Sequence, residues 1–231
     1  MNTAALSELE NKIGYEFSQK ALLRRAVSHS SYSNEASGDP TLSNERLEFL
    51  GDAILEASMS LMLFKKFPHK QEGELTRMRA SLVCERSLGS CGKAFGLQNY
   101  LLLGKGEELS GGRERISIIA DAVEALIGAV YLDGGFEPAD RFIRLILSPS
   151  LEKAAKGEFI KDAKTELQEL LQRSGATHIE YSIVSESGPD HAKSFEAEVS
   201  ETGRPIGRGS GRSKKEAEAA AAEDALSNIK R

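Results

Sequence analysis

The sequence predicts two domains of different class, an all-α half followed by a small α+β domain with the order α-β-β-β-α. Three observations carry this. From Leu6 to about Ala155, apolar residues recur at three- and four-residue spacing, with no long alternating stretch. After "KGEFIKD" at 156–162 the pattern turns to strand-like alternation. The chain of 231 residues is long enough to bury two modest cores. The expected boundaries are 1–155 for the helical domain, 156–162 for a linker and 163–231 for the second domain.

In the first half the helical segments are "LSELENKIGYEF", "QKALLRRAVSH", "ERLEFLGDAILEASMSLMLFKKF", "EGELTRMRASLVCERSLGSCGKAFG", "SIIADAVEALIGAVYLDGG" and "EPADRFIRLILSPSLEKAA". Gly- and Pro-containing breakers, "SGDP", "FPHK", "GKGEELSGGRER" and "LDGGFEP", separate most of them. In the second half "AKTELQELLQRSG" reads as a helix ending on Gly175. "HIEYSIVSESG" and "KSFEAEVSETG" alternate as strands, and a short third strand is expected from Arg204 to Gly209. "SKKEAEAAAAEDALSNIK" closes the chain as a helix with a small-residue face of Ala217, Ala220 and Ala221. Helices on one face of an antiparallel sheet satisfy that order.

Composition is that of an ordinary globular protein, 40% hydrophobic and 28% charged, with a formal net charge of -5. The sign argues against a nucleic-acid partner on average, but clusters matter more than totals. Cys84 and Cys91 fit neither a disulfide framework nor a metal-ligand pattern, so two reduced thiols are expected. The N-terminal stretch has no apolar core of a signal peptide, and no apolar run is long enough to span a membrane. A cytoplasmic protein without membrane attachment is the expectation.

"NERLEFLGDA" at 44–53 has the apolar spacing of a buried helix through Leu47, Phe49, Leu50 and Ala53. It also carries Glu45, Glu48 and Asp52 along one stripe. Glu48 and Asp52 are one turn apart and can share a cation, whereas Glu45 lies about 10 Å from Asp52 along the axis. "SIIADAVEALIGAVYL" at 117–132 repeats the pattern, almost wholly apolar with only Asp121 and Glu124 ionisable. No Lys or Arg lies between Ile116 and Asp140 to pair with them locally. A buried carboxylate without a partner costs several kcal/mol. Two such helices facing each other would hold a hard cation through oxygen ligands, and Mg²⁺ suits that donor set. The bland reading makes each acid a partly exposed helix position or a salt-bridge partner of an Arg such as Arg46 or Arg77. A metal among these acids suggests assisted phosphodiester hydrolysis.

"NERLEFLGDAIL" with "IIADAVEALIGAVYLDGG", and with "EGELTRMRASLV" and "GGRERISI", resembles the ribonuclease III family, the double-stranded-RNA endonucleases. The likeness runs over essentially the whole chain in the family's order. It implies metal-ligand roles for Glu48, Asp52, Asp121 and Glu124, with Asp52 and Glu124 most critical for catalysis. It implies supporting roles for Glu45 and Glu72 along an RNA-facing valley, and Mg²⁺ as cofactor, with Mn²⁺ able to substitute. All these acids are present. The spacing alone makes Phe49 a core residue; the resemblance instead implies that it inserts into the partner of a homodimer, each of whose two centres cuts one strand. The implied products carry 5′-phosphates, 3′-hydroxyls and short 3′ overhangs. His29 in "VSHSSYSNE" reads as structural rather than as a general base. His69, His178 and His191 lack partners at zinc spacing.

Residues 158–231 hold 11 Lys and Arg against 14 Asp and Glu, yet Thr202 to Lys215 contains five basic residues and no acid. Lys214 and Lys215 fall where a helix N-terminus is expected, a poor place for cations unless a phosphate backbone is the ligand. "DAKTELQELLQ", "GPDHAKSFEAEV" and "GRGSGRSKKEAEAAAAEDAL" resemble, in order, the double-stranded-RNA-binding domain. The resemblance implies minor-groove contacts from Thr165, Gln168, Glu169 and Gln172 and a second minor-groove contact from Pro189 and His191. Phosphate contacts follow for Lys214 and Lys215, with Ser213 nearby. Such domains read A-form shape more than sequence. The extra Gly and Ser in "GRGSGRSKK" predict a more flexible loop before the lysines. The expected function is Mg²⁺-dependent cleavage of double-stranded RNA, with ribosomal RNA precursors and structured mRNA as substrates. The competing readings are a catalytically silent double-stranded-RNA-binding protein and a metal-dependent phosphohydrolase with another substrate.

Overall fold

The computed structural model describes residues 3–36, 38–155, 163–173, 178–188, 193–211 and 213–229. The chain divides into two compact units, Met1–Ile160 and Lys161–Arg231. The expected linker, 156–162, lies outside the described residues.

The first unit is helical: α1 (Thr3–Ile13), α2 (Lys20–Ala26), α3 (Ser30–Ala36), α4 (Glu45–Lys66), α5 (Glu72–Val83), α6 (Glu85–Ala94), α7 (Lys105–Leu109), α8 (Ile116–Gly134) and α9 (Phe136–Ala155). Helix α8 is the axis of the core. Eleven of its 19 residues are buried, which is why its sequence is apolar nearly all round. Helices α2, α4, α6 and α9 pack around it.

Two expectations need correction. The buried stripe of α4 is Leu47, Gly51, Leu55, Ser58, Met59, Met62 and Leu63. Of the four residues read as the buried face, only Leu47 is buried; Leu50 is half-buried, and Phe49 and Ala53 are exposed. A short apolar window misled because α4 carries two apolar stripes, one facing α8 and one facing out, and periodicity does not say which is inward. "GKGEELSGGRER" also holds more order than a breaker. It contains α7 and a 3₁₀ turn at Gly112–Glu114, braced by the Arg115–Glu107 ion pair at 2.7 Å and by the Arg113 Nη1 donating to the Gln98 carbonyl at 2.6 Å.

The second unit is α10 (Ala163–Arg173), β1 (Ile179–Ser187), β2 (Ser194–Glu201), β3 (Arg204–Gly211) and α11 (Lys214–Ile229), with an antiparallel sheet ordered β1-β2-β3. Its core joins Leu167 and Leu171 of α10, Ala197 and Val199 of β2, and Ala217, Ala221, Ala222 and Ala225 of α11. The sheet and α11 touch backbone to backbone. A Cβ on Gly207 would lie 2.5 Å from the Ala221 carbonyl oxygen, and one on Gly211 would lie 2.5 Å from Glu216 Cβ. The glycines of "GRGSG" are therefore strand residues that admit the helix, and the expected flexible loop is mostly β3. The third strand runs two residues further than expected for the same reason.

Candidate active site

Helices α4 and α8 cross at two glycines. An ideal Cβ on Gly51 would overlap the Glu124 carbonyl group, with the carbonyl carbon 2.6 Å away. One on Gly128 would overlap the Leu47 carbonyl, with the Gly51 nitrogen 3.1 Å away. Leu47 thus meets Gly128 and Gly51 meets Glu124, so the helices run locally antiparallel at backbone contact distance. This contact brings the two acid-bearing stretches together.

At the crossing, carboxylate oxygens of Glu48, Asp121 and Glu124 all lie within 4.8 Å of one another. All three residues are half-buried. Burial is the main cause that raises Glu124 to a pKa of about 8, followed by the charges of Asp52, Glu48 and Asp121. Asp121 is raised to about 7 by burial, then by Glu48 and Glu85. Glu48 is raised by burial, then by Glu45 and Asp52. No cation offsets this: among the described residues, no salt bridge or side-chain hydrogen bond reaches any of the three, nor Asp52. The Arg46 and Arg77 pairings of the bland reading are likewise not formed among the described residues. A half-buried, oxygen-only set without an internal counter-charge fits a hard divalent cation.

Asp52 lies on the same helix face but is exposed and outside this group of three; its charge acts on both Glu48 and Glu124. Glu45 is exposed and accepts a hydrogen bond from the Ser43 hydroxyl at 3.2 Å. Glu72, exposed at the start of α5, accepts one from the Thr76 hydroxyl at 2.9 Å. His29 Nδ1 is 2.8 Å from the Ser31 Oγ, and burial lowers its pKa against the opposing pull of Glu107 and Glu45. Glu85 was not singled out from sequence, since one acid at a helix start carries no periodic signal. Gly51 and Gly128 were also missed, although a glycine within each of two acid-bearing helices was visible in the sequence.

In the second unit Lys214 and Lys215 are exposed at the first turn of α11. Ser213 is the N-cap, its hydroxyl accepting from the Glu216 N–H at 3.2 Å. The spacing Ser213-x-x-Glu216 was a readable capping signal. Gln168 and Gln172 are exposed on α10. Thr165 and Glu169 occupy positions on that helix, but their side chains lie outside what is described, as do Pro189 and His191 altogether.

Residues 19–151 match the Ribonuclease-III-like family, and residues 163–229 match the double-stranded RNA binding motif. The chain belongs to the ribonuclease III family. A Ribonuclease 3 from Geobacillus sp. is 49% identical over 227 residues, covering 98% of this chain and 92% of the relative. A Ribonuclease 3 from Bacillus velezensis is 46% identical over 224 residues, covering 97% and 90%. The nuclease domain of ribonuclease III from Campylobacter jejuni, solved at 2.2 Å, is 38% identical; it covers 65% of this chain and 97% of that one, with a TM-score of 0.59. A second structure of that domain, described for flexibility in the region of dimer formation, is 39% identical, covering 62% and 96%, with a TM-score of 0.58. The family membership makes the chain an endoribonuclease with a double-stranded-RNA-binding domain. No helix among the described residues is long and apolar enough to cross a membrane.

Proposed function

We propose that this ribonuclease III-family chain hydrolyses double-stranded RNA at a Mg²⁺ centre formed by Glu48, Asp121 and Glu124, with Asp52 beside it and Mn²⁺ able to replace Mg²⁺. The observation that carries the reading is the meeting of three half-buried carboxylates with no internal counter-charge. When bound, such a cation polarises a phosphoryl oxygen and lowers the pKa of its water. The chain's own residues do the rest. Glu48, Asp121 and Glu124 orient the centre through oxygens fixed on two helices in backbone contact. Asp52 and Glu124 are the residues on which cleavage depends most. Glu45 and Glu72 support the RNA-facing valley.

The second unit grips the duplex. Thr165, Gln168, Glu169, Gln172, Pro189 and His191 face minor grooves, and Lys214 and Lys215 meet the phosphates between them, set at the helix start by the Ser213 cap. The products carry 5′-phosphates and 3′-hydroxyls. Substrates include ribosomal RNA precursors and structured mRNA, processed in the cytoplasm, where the free thiols Cys84 and Cys91 stay reduced.

The catalytic unit works as a homodimer. Phe49, Ala53, Ala57, Leu61 and Phe64 form an exposed apolar stripe along α4, with Phe49 81% and Phe64 70% exposed. A stripe of this size left in water marks an interface. The dimer formation named for the Campylobacter jejuni nuclease domain supports a second copy as its partner. Residues 1–155 and 163–231 are the two functional domains, joined by 156–162.

The test is cleavage and binding of a perfectly paired RNA duplex, with Mg²⁺ and with EDTA, by wild type and Glu124→Gln. Expected are products from wild type with Mg²⁺ alone and duplex binding by both proteins. Normal cleavage by Glu124→Gln overturns the assignment. Binding in every case with cutting in none supports the silent RNA-binding reading instead.

A further inference from the structure

The crossing of α4 and α8 has a consequence for the acids it carries. The two carboxylate-bearing stretches lie on opposite sides of one reciprocal contact: Gly51 against the backbone of Glu124, and Gly128 against that of Leu47, the residue before Glu48. Ordinary packing keeps helix axes about 8–10 Å apart, the distance depending on the side chains at the contact. Here there are none at the contact itself. We propose that Gly51 and Gly128 are positioning residues of the metal centre, fixing the separation of Glu48 from Asp121 and Glu124 at which all three reach one ion. The inference rests on the metal reading of that cluster.

The geometry leaves little alternative for a larger residue. The atoms overlapped by a Cβ at either glycine are backbone atoms of the facing helix, which cannot swing aside as a side-chain end does. Restoring the 3.4 Å of ordinary contact requires the facing backbones to part by about 1.2–1.6 Å at this point. The oxygens of Glu48 then move away from those of Asp121 and Glu124 together, because the first sits on one helix and the other two on the opposite one. A hard cation with near-ideal octahedral demands tolerates such stretching poorly. Gly92 provides the contrast. A Cβ there would lie 2.5 Å from Ile119 Cγ2 and 3.0 Å from Val123 Cγ2, crowding α8 from α6 through side-chain methyls. It disturbs the same helix on another face and leaves the α4–α8 contact alone.

The experiment is direct Mn²⁺ binding to the full-length protein, read by the electron paramagnetic resonance of free Mn²⁺, for wild type, Gly51→Ala, Gly128→Ala and Gly92→Ala. Circular dichroism confirms that each is folded, and duplex binding in EDTA reports the second domain. Expected is a loss of Mn²⁺ affinity of about 10–100-fold in the α4–α8 variants, the range seen when the supports of metal ligands are removed. Gly92→Ala keeps wild-type affinity, and duplex binding in EDTA is unchanged throughout. Where Gly128→Ala is too unstable to purify, the Mn²⁺ affinity of Gly51→Ala against that of Gly92→Ala decides the inference. Wild-type affinity in both α4–α8 variants overturns the inference while leaving the metal centre standing. Equal loss in Gly92→Ala overturns it as well, because the effect is then general to α8. No Mn²⁺ binding by wild type removes the metal reading itself and the inference with it.

Discussion

Divalent-metal affinity should depend steeply on pH because protons compete for the same carboxylates. Metal takes only the ionised forms, and Glu124 and Asp121 are raised to about 8 and about 7. Independent titration at those values blocks the centre by a factor of about 2 at pH 8 and about 1,000 at pH 6. Affinity should therefore fall roughly 500-fold over two pH units, and further with Glu48, which is raised too. At pH 7.5 about one proton leaves on binding, mostly from Glu124. Calorimetric titration with Mn²⁺ in two buffers of different ionisation enthalpy counts those protons. An affinity constant within about threefold from pH 6 to pH 8, with no proton released, means that Glu124 and Asp121 do not bind the ion as raised carboxyls. The same shifts act on folding. Since burial raises these pKa values, ionisation opposes the folded state. The contribution of these acids to the stability of the metal-free catalytic domain is greatest below the usual carboxylate range and is lost as pH rises from that range to about 8. Glu124→Gln should flatten that loss in a metal-free melting series.

Other outcomes follow from single features. Lys214→Ala with Lys215→Ala should weaken duplex binding and make the log affinity versus log salt slope shallower by about 1–2, since each lysine releases about one counterion; an unchanged slope removes them from the phosphate contacts. Phe49→Ala should raise the dimer dissociation constant by about 30-fold or more, as expected for an aromatic anchor, and sedimentation showing an intact dimer at low concentration argues against its role. Thr202 holds φ 49° in the β2–β3 turn beside Gly203 at φ 79°. Thr202→Asn keeps the N–H that donates to the His178 carbonyl and should stabilise the second domain by about 0.5–1 kcal/mol in urea melts; a lower midpoint contradicts the strain.

The sequence was most legible where one rule acted alone. Helix α8 announced itself because burial of most of its length leaves it apolar, so Asp121 and Glu124 stood out. Strands β1 and β2 were readable from alternation. The inward face of α4 was not, because Phe49, Leu61 and Phe64 are apolar for a surface a single chain leaves bare. The meeting of Glu48 with Asp121 and Glu124 was not derivable either. It depends on Gly51 and Gly128, and absence of a side chain gives no periodic signal. In "GRGSG", glycines that serve tight strand–helix packing looked like a flexible loop, since the sequence alone does not separate these two uses of glycine.

Anomalous diffraction from crystals of the protein soaked in Mn²⁺ at pH 8, where Asp121 is mostly ionised and Glu124 about half, locates the ion itself. The expected result is an anomalous peak among Glu48, Asp121 and Glu124, within about 2.0–2.3 Å of an oxygen from each. A protein that cleaves duplex RNA with Mn²⁺ in solution yet shows no peak at that crossing would contradict the central claim.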